Sequence, residues 1–274
     1  MTKRLHPVGI TRVAENATTA ARDMAAAEEP LEIRLNGAPF AVIMRTPGAD
    51  RDLTAGFLLA ERIISGPDDL GTIRHCTDPQ AGDLQNVINV TLAGVVAERL
   101  GEILSTRRAV TSSTSCGICG RQTIDDLLEA MPRIPAGFRI TRRVVEGLSD
   151  RLRAAQVVFD ETGGLHAAGL FDAQGVLVAN AEDVGRHSAV DKVIGGQLLL
   201  ERLPLNDRIL FVSGRTSFEI VQKAIVAGIP IVASVSAPSS LAVALAADAG
   251  MSLLGFVRGR SFNIYSGSER VELG

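Results

Sequence analysis

Two near-continuous apolar runs, ILFV at 209–212 and IPIVASV at 229–235, constrain this chain more than any other feature. A strand with water on one face alternates apolar and polar residues, so a run without alternation suits a sheet covered on both faces. What separates the runs sharpens this. RILFVSG leads into the helical pattern SFEIVQKAIVAG, IPIVASVS leads into SSLAVALAADAG, and MSLLGFV closes the series. Strands separated by helices of that length pair in parallel through right-handed crossovers, which predicts a three-layer α/β domain. Ahead of them, EGLSDRLRAAQVVF reads as a helix, LHAAGLFD and GVLVANA as two strands, and HSAVDKVIGGQLLLERL as a longer helix.

The first half has a different texture. LEIRLNGAPFAVIMRT, residues 31–46, sets two alternating runs around Asn36-Gly37, a strong hairpin signal. DLTAGFLLAERII, residues 52–64, places Leu53, Phe57, Leu58 and Ile64 on one helical face, with Asp50 or Asp52 suited to its start. QNVINVTL, residues 85–92, reads as another strand. The fold class expected is therefore α/β in two domains. A small N-terminal α+β domain spans 1–104, a linker segment 105–136, and a larger three-layer α/β domain 137–274. With 274 residues, 46% of them hydrophobic, the chain can bury a substantial core.

Between the halves lies TSSTSCGICGR, residues 111–121, holding Cys116 and Cys119; the third cysteine is Cys76. Small hydroxyl residues and glycines bury little apolar area and are costly to order, so this thiol pair is expected on an exposed, mobile loop. Arg107, Arg108 and Arg121 bracket it with positive charge, which favours thiolate over thiol. After it, RQTIDDLLEAM reads as a short helix stopped by Pro132. Three sparse cysteines make no disulfide framework, and thiols stay available for reaction in a reducing compartment. Residues 1–12 lack the apolar core of a secretory signal, and no run approaches a membrane span, so a cytoplasmic protein without a membrane partner is expected. A net charge of -3 gives no footprint for nucleic acid. A single C-x-x-C without a His-x3-5-His partner disfavours a structural zinc site, and adjacent His75 and Cys76 would point to opposite faces of an extended chain, so no structural metal is expected.

In an open parallel sheet, ligands settle beyond the carboxyl ends of the strands. Here those ends are polar: Ser213-Gly214-Arg215-Thr216-Ser217, Ser236-Ala237-Pro238-Ser239-Ser240 and Arg258-Gly259-Arg260-Ser261. Two run into helix starts, where free N–H groups and the helix dipole favour an anion such as phosphate. The same residues are ordinary caps and turn formers, and it is their convergence that favours a pocket. No G-x-x-x-x-G-K-[ST] occurs, and Gly195-Gly196 lies inside a helical pattern. Glu182, Asp183, Arg186 and His187 are close enough for acid–base work or ligand binding, and equally suit an acidic helix start with a charge-paired turn. His166 reads as a half-buried strand histidine. The succession of helix, two strands, helix, strand, helix, strand is similar to the zinc nucleobase deaminases. Their H-x-E is missing, because Ala167-Ala168 follow His166, and the C-x-x-C precedes the whole domain. A cytidine-deaminase-like scaffold without deamination chemistry is expected.

Taken together, DLTAGFLLAERII, TSSTSCGICG, TGGLHAAGLFD, EDVGRHSAVDKVIG, SGRTSFEIVQKA, SAPSSLAVALA and GFVRGRSFNIYS resemble the formate dehydrogenase accessory sulfurtransferase family, known as FdhD. The resemblance implies a sulfur carrier that accepts persulfide sulfur from a cysteine desulfurase on its C-x-x-C segment. It then sulfurates the bis-molybdopterin guanine dinucleotide form of the molybdenum cofactor, bound transiently, before insertion into apo formate dehydrogenase. It also implies a homodimer and a deaminase-like second domain. The persulfide-bearing cysteine falls on Cys116 and its companion on Cys119. Cys119 could attack a persulfide on Cys116, releasing sulfide and leaving a disulfide, or could shuttle the sulfur. The family's segment for the guanine dinucleotide falls on Phe256, Val257, Arg258, Gly259 and Arg260, to which the strand-end reading adds Ser213, Gly214, Arg215 and His187. Arg62 stands where glycine is expected after Glu61, and the residues before Leu31 match nothing recognisable. Two rivals are a non-catalytic chaperone that only binds and delivers the guanine dinucleotide cofactor, and a thiol–disulfide oxidoreductase. The second is disfavoured because glycines flank the pair rather than a helix start.

Overall fold

The structure, a computed structural model, describes residues 4–76, 84–108 and 131–274. Cys116, Cys119, Arg121 and the helix expected from RQTIDDLLEAM lie outside the described residues.

The chain opens with a feature the sequence did not announce. β1 (Leu5–Ala14) and β2 (Ala17–Ala26) form a two-stranded antiparallel hairpin in the part of the chain that matched nothing recognisable. Next come β3 (Glu29–Leu35) and β4 (Ala38–Arg45), the expected hairpin. Asn36 and Gly37 turn it with φ of 47° and 85°, the left-handed pair that matches strand twist. Asn36 also fixes its neighbour: Leu92 N donates to its Oδ1 at 2.9 Å, and Gly37 N donates to Asn89 Oδ1 at 2.7 Å. With β5 (Leu70–His75) and β6 (Val87–Leu92) this makes a four-stranded sheet of order β4-β3-β6-β5, in which β3 and β6 are parallel.

Helix α1 (Asp50–Ala60) packs on that sheet through Leu53, Phe57 and Leu58. Its first residue is tied to a buried cation. Arg45, fully buried, donates from Nε and Nη2 to the two Asp50 oxygens, at 3.1 Å each, and from Nη2 to Asn86 Oδ1 at 2.9 Å. Removing one partner of a buried ion pair strands the other. Arg45→Met should therefore cost about 3–5 kcal/mol in urea unfolding, far more than losing an exposed pair such as Arg99–Glu102. α1 ends at Glu61 and Arg62, and Arg62 adopts a left-handed φ of 56°. That conformation is the one glycine takes beyond a helix end at least cost, and glycine is what the family resemblance led us to expect at this position.

Short helices α2 (Gly94–Glu98) and α3 (Leu100–Arg108) follow β6. Residues 146–159, expected as one helix, belong instead to α4 (Arg142–Ala154) and α5 (Val157–Thr162), broken at Ala155 and Gln156. The second half then builds a six-stranded sheet from β8 (His166–Phe171), β9 (Leu177–Asp183), β10 (Ile209–Val212), β11 (Ile231–Ser234), β12 (Ser252–Arg258) and β13 (Ser261–Ser266), after the two-residue β7 (Ile140–Thr141). Its order is β13-β12-β11-β10-β8-β9. Only β10, β11 and β12 run parallel, joined by the expected crossovers through α7 (Phe218–Val226) and α8 (Ser240–Ala249). β8 is antiparallel to both β9 and β10, and β13 turns back on β12, so the sheet is mixed rather than parallel throughout. The short β14 (Val271–Glu272) pairs with β7.

The central strands alternate between two cores, as a period of two requires. Leu210, Val212, Val232 and Leu253 face a cluster shared with α1, α6 (Arg186–Leu199), α7 and α8. Ile209, Phe211, Ile231 and Leu254 face α4, where Val145, Leu148 and Leu152 cover them. The first cluster also contains Leu31, Ile33 and Val90 of the N-terminal sheet, so buried side chains run without interruption from one sheet to the other. The closest approach across it is between α1 and α6. A Cβ on Gly56 would lie 2.0 Å from Asp191 O, and one on Gly195 would lie 1.9 Å from Asp52 O. Gly195, an oddity inside a helical pattern, is what lets the two backbones touch.

Candidate functional site

Because β8 is antiparallel to β10, its start lies beside the end of β10, and the end of β9 pairs with the start of β8. One edge of the sheet therefore collects Asp183, His166, and the segments that follow β10, β11 and β12. The segments after β10 and β11 are stitched to each other and to β12 itself by backbone hydrogen bonds. Thr216 N donates to Ala237 O at 3.3 Å, Ser239 N to Thr216 O at 3.0 Å, and Phe256 N to Ser236 O at 3.1 Å.

The expected site residues divide by what they present here. Ser213 Oγ accepts from Ala167 N at 2.8 Å, so its hydroxyl holds β8 to β10. Gly214 lies against the ring of His166, with space for a Cβ only 3.3 Å from Nδ1. Arg215 is exposed. Phe256 is 40% exposed and has a φ of 53°, a strained conformation for an aromatic residue, at a bulge in β12. Val257, by contrast, is fully buried, so its side chain serves the core and only its backbone is near the edge. Arg258 is exposed and donates from Nε to Val235 O at 3.3 Å. Gly259, at φ 55°, turns β12 into β13. Arg260 departs from the group: it lines a separate cleft of about 610 Å³ with Arg142, Arg143, Glu146 and Glu272.

The acidic stretch before α6 resolves into two kinds of residue. Glu182 accepts from Val158 N at 3.0 Å and Phe159 N at 2.8 Å, an outside cap for α5. Asp183 accepts from Lys192 Nζ at 2.7 Å, Thr46 N at 3.1 Å and Gly185 N at 2.8 Å. Both carboxylates thus serve structure. His187, the remaining candidate from this stretch, faces the strand ends: its Nε2 lies 2.9 Å from Ser217 Oγ.

Behind His187 sits a buried charge cluster. Lys223 Nζ donates to both Asp191 oxygens at 2.8 and 2.9 Å and lies 3.3 Å from Glu219 Oε1. Glu219 Oε2 is 3.2 Å from His187 Nδ1. Burial works against the charge of Lys223, but Asp191 and Glu219 outweigh it and hold the ammonium above the ordinary lysine range. Burial pushes Glu219 up to about 7 and Asp191 up to about 6, with Lys223 opposing in each case. His187 is driven down to about 3 by burial, then by Arg186, Lys223 and His166, so its ring is neutral at physiological pH. Burial, with Arg186 next, also lowers His166.

Glu219, Lys223 and Asp191 were not among the residues expected from sequence. Their signal was present, since a charged residue placed mid-helix among apolar neighbours, as in FEIVQKAIV and SAVDKVIGG, asks for a buried partner. Among the described residues, no group of three or more His, Cys, Asp or Glu is placed to hold a metal ion, and no helix is long and apolar enough to cross a membrane.

The sequence profile of the FdhD/NarQ family matches residues 26–272. The chain belongs to the FdhD/NarQ family. Its FdhD relatives include the "Sulfur carrier protein FdhD" of Streptomyces coelicolor, 48% identical over 270 residues that cover 96% of this chain and 94% of that protein. The protein of the same name from Anaeromyxobacter dehalogenans strain 2CP-C is 50% identical over 260 residues, covering 93% and 90%. A crystal structure from Desulfotalea psychrophila, described as that of a formate dehydrogenase accessory protein, superposes with a TM-score of 0.76 at 25% identity, covering 98% of this chain and all of that one. The relatives' coverage extends into the part of the chain before Leu31, where no resemblance was recognised.

Proposed function

We propose that this protein is a sulfur carrier for formate dehydrogenase maturation. Cys116 takes persulfide sulfur from a cysteine desulfurase, and the sulfur passes to the bis-molybdopterin guanine dinucleotide form of the molybdenum cofactor, which is substrate rather than resident group. The proposal places the protein in the cytoplasm as a homodimer and reads the six-stranded sheet as a deaminase-like scaffold. The names of its relatives support the carrier role.

The observation that carries the cofactor half is the sheet edge itself. A guanosine diphosphate end needs a surface on which a base can stack and donors for its phosphates. Phe256 supplies an exposed ring, the α7 start supplies backbone N–H groups, and Arg215 and Arg258 supply cations on adjacent segments. Ser217, the residue before α7, makes no side-chain cap, so the first N–H groups of that helix are not taken by it.

The test is calorimetric titration with guanosine diphosphate. Wild type should bind, and Phe256→Ala should weaken binding by roughly 5- to 100-fold, the range for loss of one base–aromatic stack. Arg215→Ala should weaken it and flatten its salt dependence. Equal affinity in both variants and wild type would remove the pocket.

A further inference from the structure

Three side chains behind the sheet edge form a chain of polar contacts: Ser217 Oγ to His187 Nε2 at 2.9 Å, and His187 Nδ1 to Glu219 Oε2 at 3.2 Å. The second contact is close enough for an ion pair, yet among the described residues Oε2 is buried without a hydrogen-bond partner. An ionised carboxylate with an orphaned buried oxygen is costly. A carboxylic acid is not, because its O–H can rotate to donate to an imidazole nitrogen that carries no proton.

We propose that Glu219, His187 and Ser217 are a proton-linked positioning relay that turns the Ser217 hydroxyl outward as a donor to an anion at the strand-end site. With Glu219 protonated, Oε2–H donates to Nδ1, Nε2–H donates to Ser217 Oγ, and the serine O–H is released to an incoming phosphate. With Glu219 ionised, Nδ1–H faces the carboxylate, Nε2 accepts the serine O–H, and no hydroxyl proton is left for the ligand. The first arrangement holds one proton more than the second, taken from solvent, and no covalent bond changes. In both the imidazole is neutral, in keeping with its burial beside Arg186 and Lys223. The surroundings set where the switch lies. Glu219 faces Lys223 on its own helix, His187 and Asp191 on α6, and Glu61 at the end of α1, while His187 also faces His166 on β8 and Arg186. Burial raises Glu219 to about 7, so the carboxyl changes state within the physiological range.

This deepens the pocket reading and rests on it. The binding probe is GDP-mannose, a guanosine pyrophosphate diester whose charge is constant from about pH 5.5 to about pH 8.5, so any pH dependence belongs to the protein. Calorimetry in buffers of different ionisation enthalpy should show wild type taking up a fraction of a proton per nucleotide, largest near pH about 7. Affinity should tighten about tenfold from the alkaline to the acid end, the worth of one hydrogen bond to a charged group. Glu219→Gln places a permanent N–H donor opposite Nδ1 and a carbonyl opposite Lys223. It should bind at the tight level throughout, with only the residual pH dependence of His166. Ser217→Ala removes no helix cap and should bind at the weak level without proton uptake. Independently of any ligand, nitrogen-15 NMR of the free protein should show His187 as the Nε2–H tautomer at acid pH and Nδ1–H at alkaline pH.

A single tautomer across the range, or binding without proton uptake and with an unchanged profile in Glu219→Gln, overturns the relay and leaves the pocket standing. Absence of GDP-mannose and guanosine diphosphate binding at every pH removes the pocket, and the relay's role in it falls too.

Discussion

Replacing Cys116 with alanine should leave the protein folded and reduce formate dehydrogenase activity in cells to background. A carrier must hold a sulfane sulfur through a bond that a second nucleophile or a metal centre can take over, and a thiolate provides this whereas a methyl group cannot. At the reference thiol pKa of about 8.5, only a few per cent of a cysteine is ionised at neutral pH, so the arginines at 107, 108 and 121 are suited to raise the reactive fraction. Incubation with desulfurase and cysteine should add the mass of one sulfur to wild type at Cys116 and nothing at that position in Cys116→Ala. A fully active alanine variant would favour the rival reading, a chaperone that binds and delivers the guanine dinucleotide cofactor without carrying sulfur. Cys119→Ala separates the two roles open to that residue. A resolving Cys119 releases sulfide and leaves a Cys116–Cys119 disulfide in wild type that the variant cannot form, whereas a shuttling Cys119 carries the mass of one extra sulfur itself and leaves no disulfide.

A large effect on stability should also come from a residue without a side chain. Gly195→Ala places a Cβ 1.9 Å from Asp52 O and within 2.4 Å of Gly56 N, both backbone atoms that cannot rotate away. The helices must move apart, loosening the cluster that joins Leu53 and Leu58 to Val190 and Ile194. With so short a contact the overpacking cost of about 3 kcal/mol outweighs the roughly 1 kcal/mol that alanine gains over glycine within a helix, for a net loss of about 2 kcal/mol in urea unfolding. Gly56→Ala should cost a similar amount. The double variant should cost less than the sum, because helices already separated accommodate the second methyl. Gly101→Ala, in a helix where an added Cβ meets nothing within 4 Å, is the control and should be neutral or stabilising. Full additivity of the two losses would mean that the crossing is not their shared cause.

Several parts of this molecule were legible because local rules settle them. Asn36-Gly37 specifies its turn by the φ values those residues tolerate, and the structure has them in that conformation. The polar segments after β10 and β11 were visible as neighbouring strand ends, and they are joined to each other and to β12 at one edge. Strand direction was less accessible. A helix between two strands implies a parallel pair, but β8 and β9 are joined by a turn, and their placement beside β10 depends on which sheet edge was free. Arg260 illustrates the same limit. It is next to Gly259 in sequence, yet the β12–β13 turn carries it to the cleft beside Arg142.

By itself, then, the sequence determined the strand–helix succession from β8 to β12, the hairpin at Asn36-Gly37, the family, and the thiol pair on which a carrier role rests, since each depends on neighbours along the chain. Tertiary structure alone decided the mixed sheet, the glycine-to-backbone crossing of α1 and α6, and the meeting of Ser217, His187, Glu219, Lys223 and Asp191. The physical reason is that the energy of a buried charge or a close backbone approach is set by groups tens of residues away. The sequence states what each residue needs, and only the folded chain shows which partner meets that need.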